Sequence, residues 1–268
     1  MKQARIGPWI AIAVGTAYFV VPLIGTFEFS LRMRRGVYSF DAYSVILSDP
    51  RFHATFAYST VLALATIVFG VVLIVPTAYW VQLRLPRLRP IVEFITLLPL
   101  VIPAIVIVFG YLRVYGSSSL LPMTTNERAT DLLLMFSYVT LSLPYMYRAV
   151  DTGLRAIDIR TLTEACESLG AGWATILLKV IFPNVRAAIL SGAFLTFATV
   201  IGEFTMTSLL DRPAFGPYLQ LIGQDRAYEP SALAIIAFAI TWACMGLMQV
   251  FARGTRALSS ATPAGAKS

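Results

Sequence analysis

Six stretches of this chain, at about 8–27, 55–82, 91–114, 132–149, 187–210 and 231–251, run for roughly 20 residues with almost no charge, which decides what the chain can fold into. A helix rises about 1.5 Å per residue, so a run of that length crosses a bilayer core of about 30 Å. Only 13% of the 268 residues are charged and 57% are hydrophobic. A soluble domain of this size carries about twice that charge. The expectation is an all-α, polytopic membrane protein with about six transmembrane helices, forming a single transmembrane domain over residues 1–268. The net charge of +7 sits at the ends of these runs, where membrane insertion places Lys and Arg, and so does not indicate a nucleic-acid partner. Cys166 falls in a loop helix and Cys244 inside a run, which gives no disulfide framework.

The first run follows Lys2 and Arg5 and is not followed by a clear small-x-small cleavage site, so it reads as an uncleaved first span. Arg32, Arg34 and Arg35 come next, ahead of an aromatic-rich segment at residues 38–47 that suits a short helix at the membrane interface. Pro99 and Pro103 in the third run remove backbone donors and kink that span. Six spans place both termini on one side. Thirteen basic residues fall on that side (Lys2, Arg5, Arg84, Arg87, Arg89, Arg148, Arg155, Arg160, Lys179, Arg186, Arg253, Arg256, Lys267), against eight on the other. The excess predicts cytoplasmic termini and a cytoplasmic loop at about residues 150–186.

That loop carries the most informative short pattern. Leu162, Ala165, Cys166 and Leu169 recur at i, i+3, i+4 and i+7, one face of a helix. Thr161 stands three residues before Glu164, the spacing of a capping box, and Gly170 supplies a left-handed stop. The predicted unit is about eight residues, or roughly 12 Å, too short to stand alone in water. Its small apolar face therefore needs a partner in this chain or in another protein.

Glu164-Ala165-Cys166, three residues, Gly170, nine residues and then Val180-Ile181-Phe182-Pro183 resembles the cytoplasmic-loop signature of permease subunits in binding-protein-dependent bacterial ABC importers. The family pattern is Glu-Ala-Ala, Gly, then Ile-x-Leu-Pro; here Cys, Val and Phe replace three of its residues with roughly similar sizes. The resemblance implies the type I permease fold of methionine and maltose permeases, in the inner membrane. It implies a second permease subunit, homologous or identical, a cytoplasmic ABC ATPase dimer that hydrolyses ATP, a periplasmic solute-binding protein and a lipid surround. It assigns ATPase coupling to Glu164, Ala165, Cys166, Leu169, Gly170 and Pro183. The region from residue 202 through 219 looks most similar to the spermidine/putrescine branch, which makes a polyamine the expected solute. Iron, thiamine, sulfate, molybdate, phosphonate and opine permeases are the alternatives, and a secondary transporter the more distant one.

No enzyme chemistry is legible. There is no Gly-x-x-x-x-Gly-Lys-Ser/Thr phosphate loop, the one histidine, His53, sits in a predicted outer loop, and neither cysteine has a partner at metal spacing, so no cofactor or metal is expected. Glu203, in the fifth run, is the one acid placed inside a span. Such residues face a cavity or bind a neighbouring helix, and Glu203 is a substrate-path candidate on the first reading and interhelical glue on the second. Glu93 and Arg148, at span ends, are expected to snorkel to the interface.

Overall fold

The computed structural model describes residues 6–259, and Lys2, Arg5 and Lys267 of the charge count lie outside them. Among the described residues the chain runs through α1 (Ile6–Ser30), α2 (Asp41–Ser48), α3 (Pro50–Leu83), α4 (Arg89–Val101), α5 (Ala104–Tyr115), α6 (Glu127–Arg155), α7 (Ile159–Ser168), α8 (Trp173–Thr175), α9 (Phe182–Ile201), α10 (Thr205–Leu209), α11 (Phe215–Asp225) and α12 (Glu229–Ser259). The expected interfacial helix is α2. A 3-10 turn at Pro86–Leu88 leads into α4, and a π-helical stretch at Ile176–Ile181 joins α8 to α9. The described residues form two compact units, one up to Thr55 with Pro217–Ile240, the other Phe56–Gly216 with residues from Thr241 onward.

Among the described residues three helical paths are long and apolar enough to cross a bilayer: Gly7–Ser30, Pro50–Leu83 and Trp173–Ile201. A fourth exists if Pro86–Val101 and Ala104–Tyr115 count as one span, bent by 101°. The kink expected in the third run is therefore a full break. Its cause is local: a residue before proline is driven out of the helical region, and Ile102 sits extended at ψ 119° ahead of Pro103. α6 has the length of a span with 29 residues, but buries Ser137, Tyr138 and Ser142, so much of its polarity faces protein. α12 starts with the apolar stretch Glu229–Cys244. The six expected runs thus lie mainly on helix, the third and fifth with a break, and among the described residues three to four helical paths meet the length and composition of a span by themselves.

The fifth run departs from expectation at both ends. It begins earlier, at Trp173, and Pro183, in the first turn of α9, lies within a continuous helical path. A proline there lacks an amide and crowds the carbonyl four residues back; the wider π turn immediately before it absorbs both. The run also stops at Ile201 instead of continuing to 210, because Gly202 caps α9 and a new helix, α10, begins at Thr205.

The core of the second unit gathers one end of α3 (Ile74, Val75, Ala78, Tyr79), the last turns of α6 (Met146, Tyr147, Val150, Leu154) and the stretch from Ile176 to Ala193. Ile159, the first residue of α7, belongs to the same cluster. The short loop helix is thus fixed to the ends of three long ones.

Candidate functional site

The loop helix starts one turn earlier than Thr161. Asp158 is its N-cap, and one carboxylate oxygen accepts the Thr161 amide at 3.2 Å while the other accepts the Thr161 hydroxyl at 2.7 Å. Asp caps more strongly than Thr, and the earlier start makes Ile159 a buried anchor. These two hydrogen bonds hold the Asp158 carboxyl below the usual range. The predicted capping box is thereby corrected: Glu164 faces solvent and pairs with Arg160 at 3.2 Å instead of reaching back to Thr161. The helix is 10 residues long, not eight.

Its other end behaves as expected. Gly170 has φ +79°, its amide donates to Glu167 at 2.9 Å, and the Ala171 amide donates to Cys166 at 3.0 Å. This pair of reversed bonds is a Schellman stop, which needs a residue free to turn left-handed.

The apolar stripe read from the sequence divides between the core and solvent. Leu162 and Cys166 are half-buried, and Cys166 packs on the core together with Ala171. Ala165 is exposed and Leu169 is 88% exposed. The inward face is instead Ile159 and Thr163. Thr163 donates to the Ile159 carbonyl at 2.6 Å and lies 3.0 Å from the Tyr79 hydroxyl. Because the one Thr163 proton is committed to that carbonyl, Tyr79 is the donor between them. Trp173, just past the stop, tilts against Trp80 with ring centroids 5.7 Å apart. Arg84 closes the outer side with an ion pair to Glu167 at 2.9 Å.

Behind α7 lies a charge network that sequence reading did not assemble. Asp151, on the last turns of α6, is buried, accepts from the Gln82 amide at 2.7 Å and pairs with Arg155 and with Arg89. Glu93 joins it through Arg89 at 2.9 Å and Arg155 at 3.0 Å, so Glu93 is an ion-pair partner between α4 and α6 rather than a snorkelling end residue. Arg148 is exposed and borders, with Glu93, Asp151 and Arg155, a cavity of about 360 Å³. The spacing signal for the network is i, i+4 on both helices, at Arg89/Glu93 and Asp151/Arg155.

Far along α6 stands a second polar cluster. Arg212 donates to Asp131 at 2.8 Å and lies over the Tyr58 ring, 5.9 Å from its centroid. The 20 residues from Asp131 to Asp151 rise about 30 Å, the thickness of a bilayer core. Between the two clusters α6 carries no charge except Arg148, near its end.

Glu203 is 9% exposed and sits in the gap between α9 and α10. One carboxylate oxygen accepts the Met206 amide at 2.8 Å, and the other accepts the Thr207 amide and the Tyr138 hydroxyl, each at 3.3 Å. The carboxylate thus takes two free amides at the start of α10 and ties that helix to α6. Gly216 passes so close that a Cβ built there would stand 2.3 Å from the Glu203 carbonyl oxygen, a contact only glycine permits. Among the described residues no group of three or more His, Cys, Asp or Glu side chains is placed to hold a metal ion.

Residues 74–256, from within α3 into α12, match the family described as the binding-protein-dependent transport system inner membrane component. The chain belongs to that family. This permease is 30% identical over 193 residues, 68% of each chain, to a probable molybdenum ABC transporter permease of Haloferax volcanii. It is 29% identical over 124 residues to the spermidine/putrescine permease PotC of Escherichia coli, an alignment covering 45% of this chain and 47% of that protein. A crystal structure of a bacterial ABC transporter that imports alginate superposes with a TM-score of 0.68, over 93% of this permease and 96% of that chain, at 15% identity. An amino-acid ABC transporter solved with histidines gives 0.56 over 80% of the chain and 99% of that one, at 17% identity. Family and fold agree on a multi-pass permease subunit of the inner membrane, so the chain is a transport component by family and not an enzyme. Within this permease the Glu164 to Gly170 segment is the second half of α7 and its glycine stop, seated at the end of the α3, α6 and α9 core.

Proposed function

We propose that this permease couples solute passage to a cytoplasmic ABC ATPase through α7. The observation that carries this is the division of the α7 surface: Ile159 and Thr163 are locked into the core, while Ala165 and Leu169 present small and large apolar groups to solvent. A helix fixed rigidly on one side and apolar on the other passes movement from a docked partner into α3, α6 and α9. Pro183 and the π stretch serve the same path, because they connect α8 to α9 without a stop. In this reading residues 1–268 act as one permease domain, and the family match, which runs through residues of both compact units, supports that.

The same reading includes a second permease subunit, homologous or identical, and a periplasmic binding protein; an alginate transporter of this fold was solved with its periplasmic protein bound to an alginate pentasaccharide. It places both termini in the cytoplasm on the strength of the basic-residue excess. A reporter inserted near Ser118 is then active only as a periplasmic one, and activity there as a cytoplasmic reporter overturns the orientation.

For the solute, the spermidine/putrescine relative supports a polyamine. A second reading, an oxyanion such as molybdate, is favoured by the longer reach of the molybdenum relative, 68% of this chain against 45%. Glu203 does not tilt the choice toward a cation, because its carboxylate is engaged by Met206, Thr207 and Tyr138; a role for it in the solute path rests on the uptake test below. Uptake of labelled spermidine and labelled molybdate by cells with and without the permease decides between them. Loss of spermidine uptake alone supports the first reading, and loss of molybdate uptake alone the second.

A further inference from the structure

The three arginines that follow α1 run against the basic-residue count, and their surroundings give a reason for them. α1 has no buried residue across its apolar window, so the helix leading to them packs on nothing else within this subunit. Its 24 residues from Gly7 to Ser30, mostly apolar, rise about 36 Å, which brings residue 31 onward to headgroup depth. There the chain makes a tight turn: the Val37 amide donates to the Arg34 carbonyl at 3.4 Å, and Gly36 takes φ +78° at its third position. A second bond, from the Ser39 amide to the Leu31 carbonyl at 2.9 Å, fixes the base of the loop.

Arg32, Arg34 and Arg35 line a cavity of about 380 Å³ with Tyr38 and Tyr228. Glu28 takes the Arg32 Nε at 2.6 Å and the Tyr38 hydroxyl at 2.9 Å, and Asp41 pairs with the Arg34 Nε. Both acids thus engage Nε, and Arg35 has no ion pair among the described residues. Three guanidiniums against two carboxylates leave one net positive charge in the cavity. Tyr228 forms one wall and rests on Phe29 of α1, ring centroids 5.0 Å apart. Arginine forks suit phosphate oxygens, and Tyr with Phe at this depth suits the interface.

We propose that this cavity binds the headgroup of a singly charged anionic phospholipid, with the acyl chains lying along α1. Guanidinium groups meet the phosphodiester, and the exposed Ile24 and Phe27 of α1 meet the hydrocarbon just below. A soluble anion finds the same charge but no use for the apolar helix. An acidic protein surface finds the charge without the need for membrane depth.

The test uses the purified full-length permease, with native mass spectrometry after mixing with phosphatidylglycerol, phosphatidylcholine or inorganic phosphate. Phosphatidylglycerol is expected to be retained selectively. Arg35→Gln, which breaks no internal ion pair, should weaken that retention by about fivefold, the effect of one arginine near a lipid surface. Arg35→Lys should restore most of it. Equal retention of phosphatidylcholine, unchanged retention in Arg35→Gln, or inorganic phosphate held as well as the lipid would each overturn the proposal. Thermal unfolding of both variants in the absence of lipid should match the parent, which keeps a folding defect from imitating lost binding.

Discussion

Tyr79 of α3 donates a buried hydrogen bond of 3.0 Å to Thr163 of α7, and the Thr163 hydroxyl in turn donates to the Ile159 carbonyl. This chain of two bonds is what joins the loop helix to a membrane-spanning one by direction as well as by packing. Tyr79→Phe leaves Thr163 with its backbone partner and should cost about 0.5 to 1.5 kcal/mol. Thr163→Val keeps the shape but strands the Tyr79 hydroxyl in the core and should cost about 1 to 3 kcal/mol. The double variant should then be no less stable than Thr163→Val alone. Thermal unfolding of the four proteins checks this, and simple additivity would show that the two hydroxyls do not act together.

The Asp158 cap gives α7 a dependence on acidity. Its carboxyl titrates lower in the folded protein than in the unfolded chain because the Thr161 hydroxyl and amide favour the charged form. The cap's contribution is therefore fully present above the unfolded value, near 3.8, and fades as pH falls through the lower folded value. Asp158→Asn retains an acceptor for the amide and should remove the dependence while preserving the helix. Protection of α7 amides against hydrogen exchange, followed downward in pH for both proteins, reads the difference.

At Gly170 the test separates backbone strain from crowding. A Cβ there would meet nothing within 4 Å, yet φ is +79°. Gly170→Ala should thus cost about 1 to 2 kcal/mol through the left-handed backbone alone. Urea unfolding of the variant measures it, and an unchanged midpoint would mean that the Schellman stop adds little to α7.

Glu203→Gln tests how the buried carboxylate is used. The new amide group would set a donor against one of the Met206 and Thr207 amides, so stability should fall by about 1 to 3 kcal/mol. Gly216→Ala presses on the Glu203 carbonyl and should fall in the same range without a change of charge. If the carboxylate is structural, uptake per folded molecule stays near normal in both. A selective loss of uptake in Glu203→Gln would place the charge in the solute path.

Much of this architecture is legible from local pattern. The apolar runs mark the helices, and the spacing from Glu164 to Gly170 marks α7, since periodicity and a glycine stop are local properties. What escapes is set by contacts distant in sequence. Thr161 has the right spacing to Glu164 for a cap, but Asp158 is the better acceptor, and only the burial of Ile159 shows which start prevails. Leu169 belongs to the apolar stripe, yet Thr163, a polar residue, takes the inward place because Tyr79 stands opposite. The break at Glu203 looks like uninterrupted span until the carboxylate is seen holding the next helix's amides.

The most direct measurement of the coupling role is crosslinking from the exposed edge of α7. A photoreactive amino acid in place of Leu169, in membranes that also contain the importer's ATPase, should give a permease–ATPase adduct. The same amino acid in place of Leu120, fully exposed in the loop between α5 and α6, should give none. An adduct from Leu120, or its absence from Leu169 in a transporter that still imports its solute, would contradict the assignment of α7 as the docking helix.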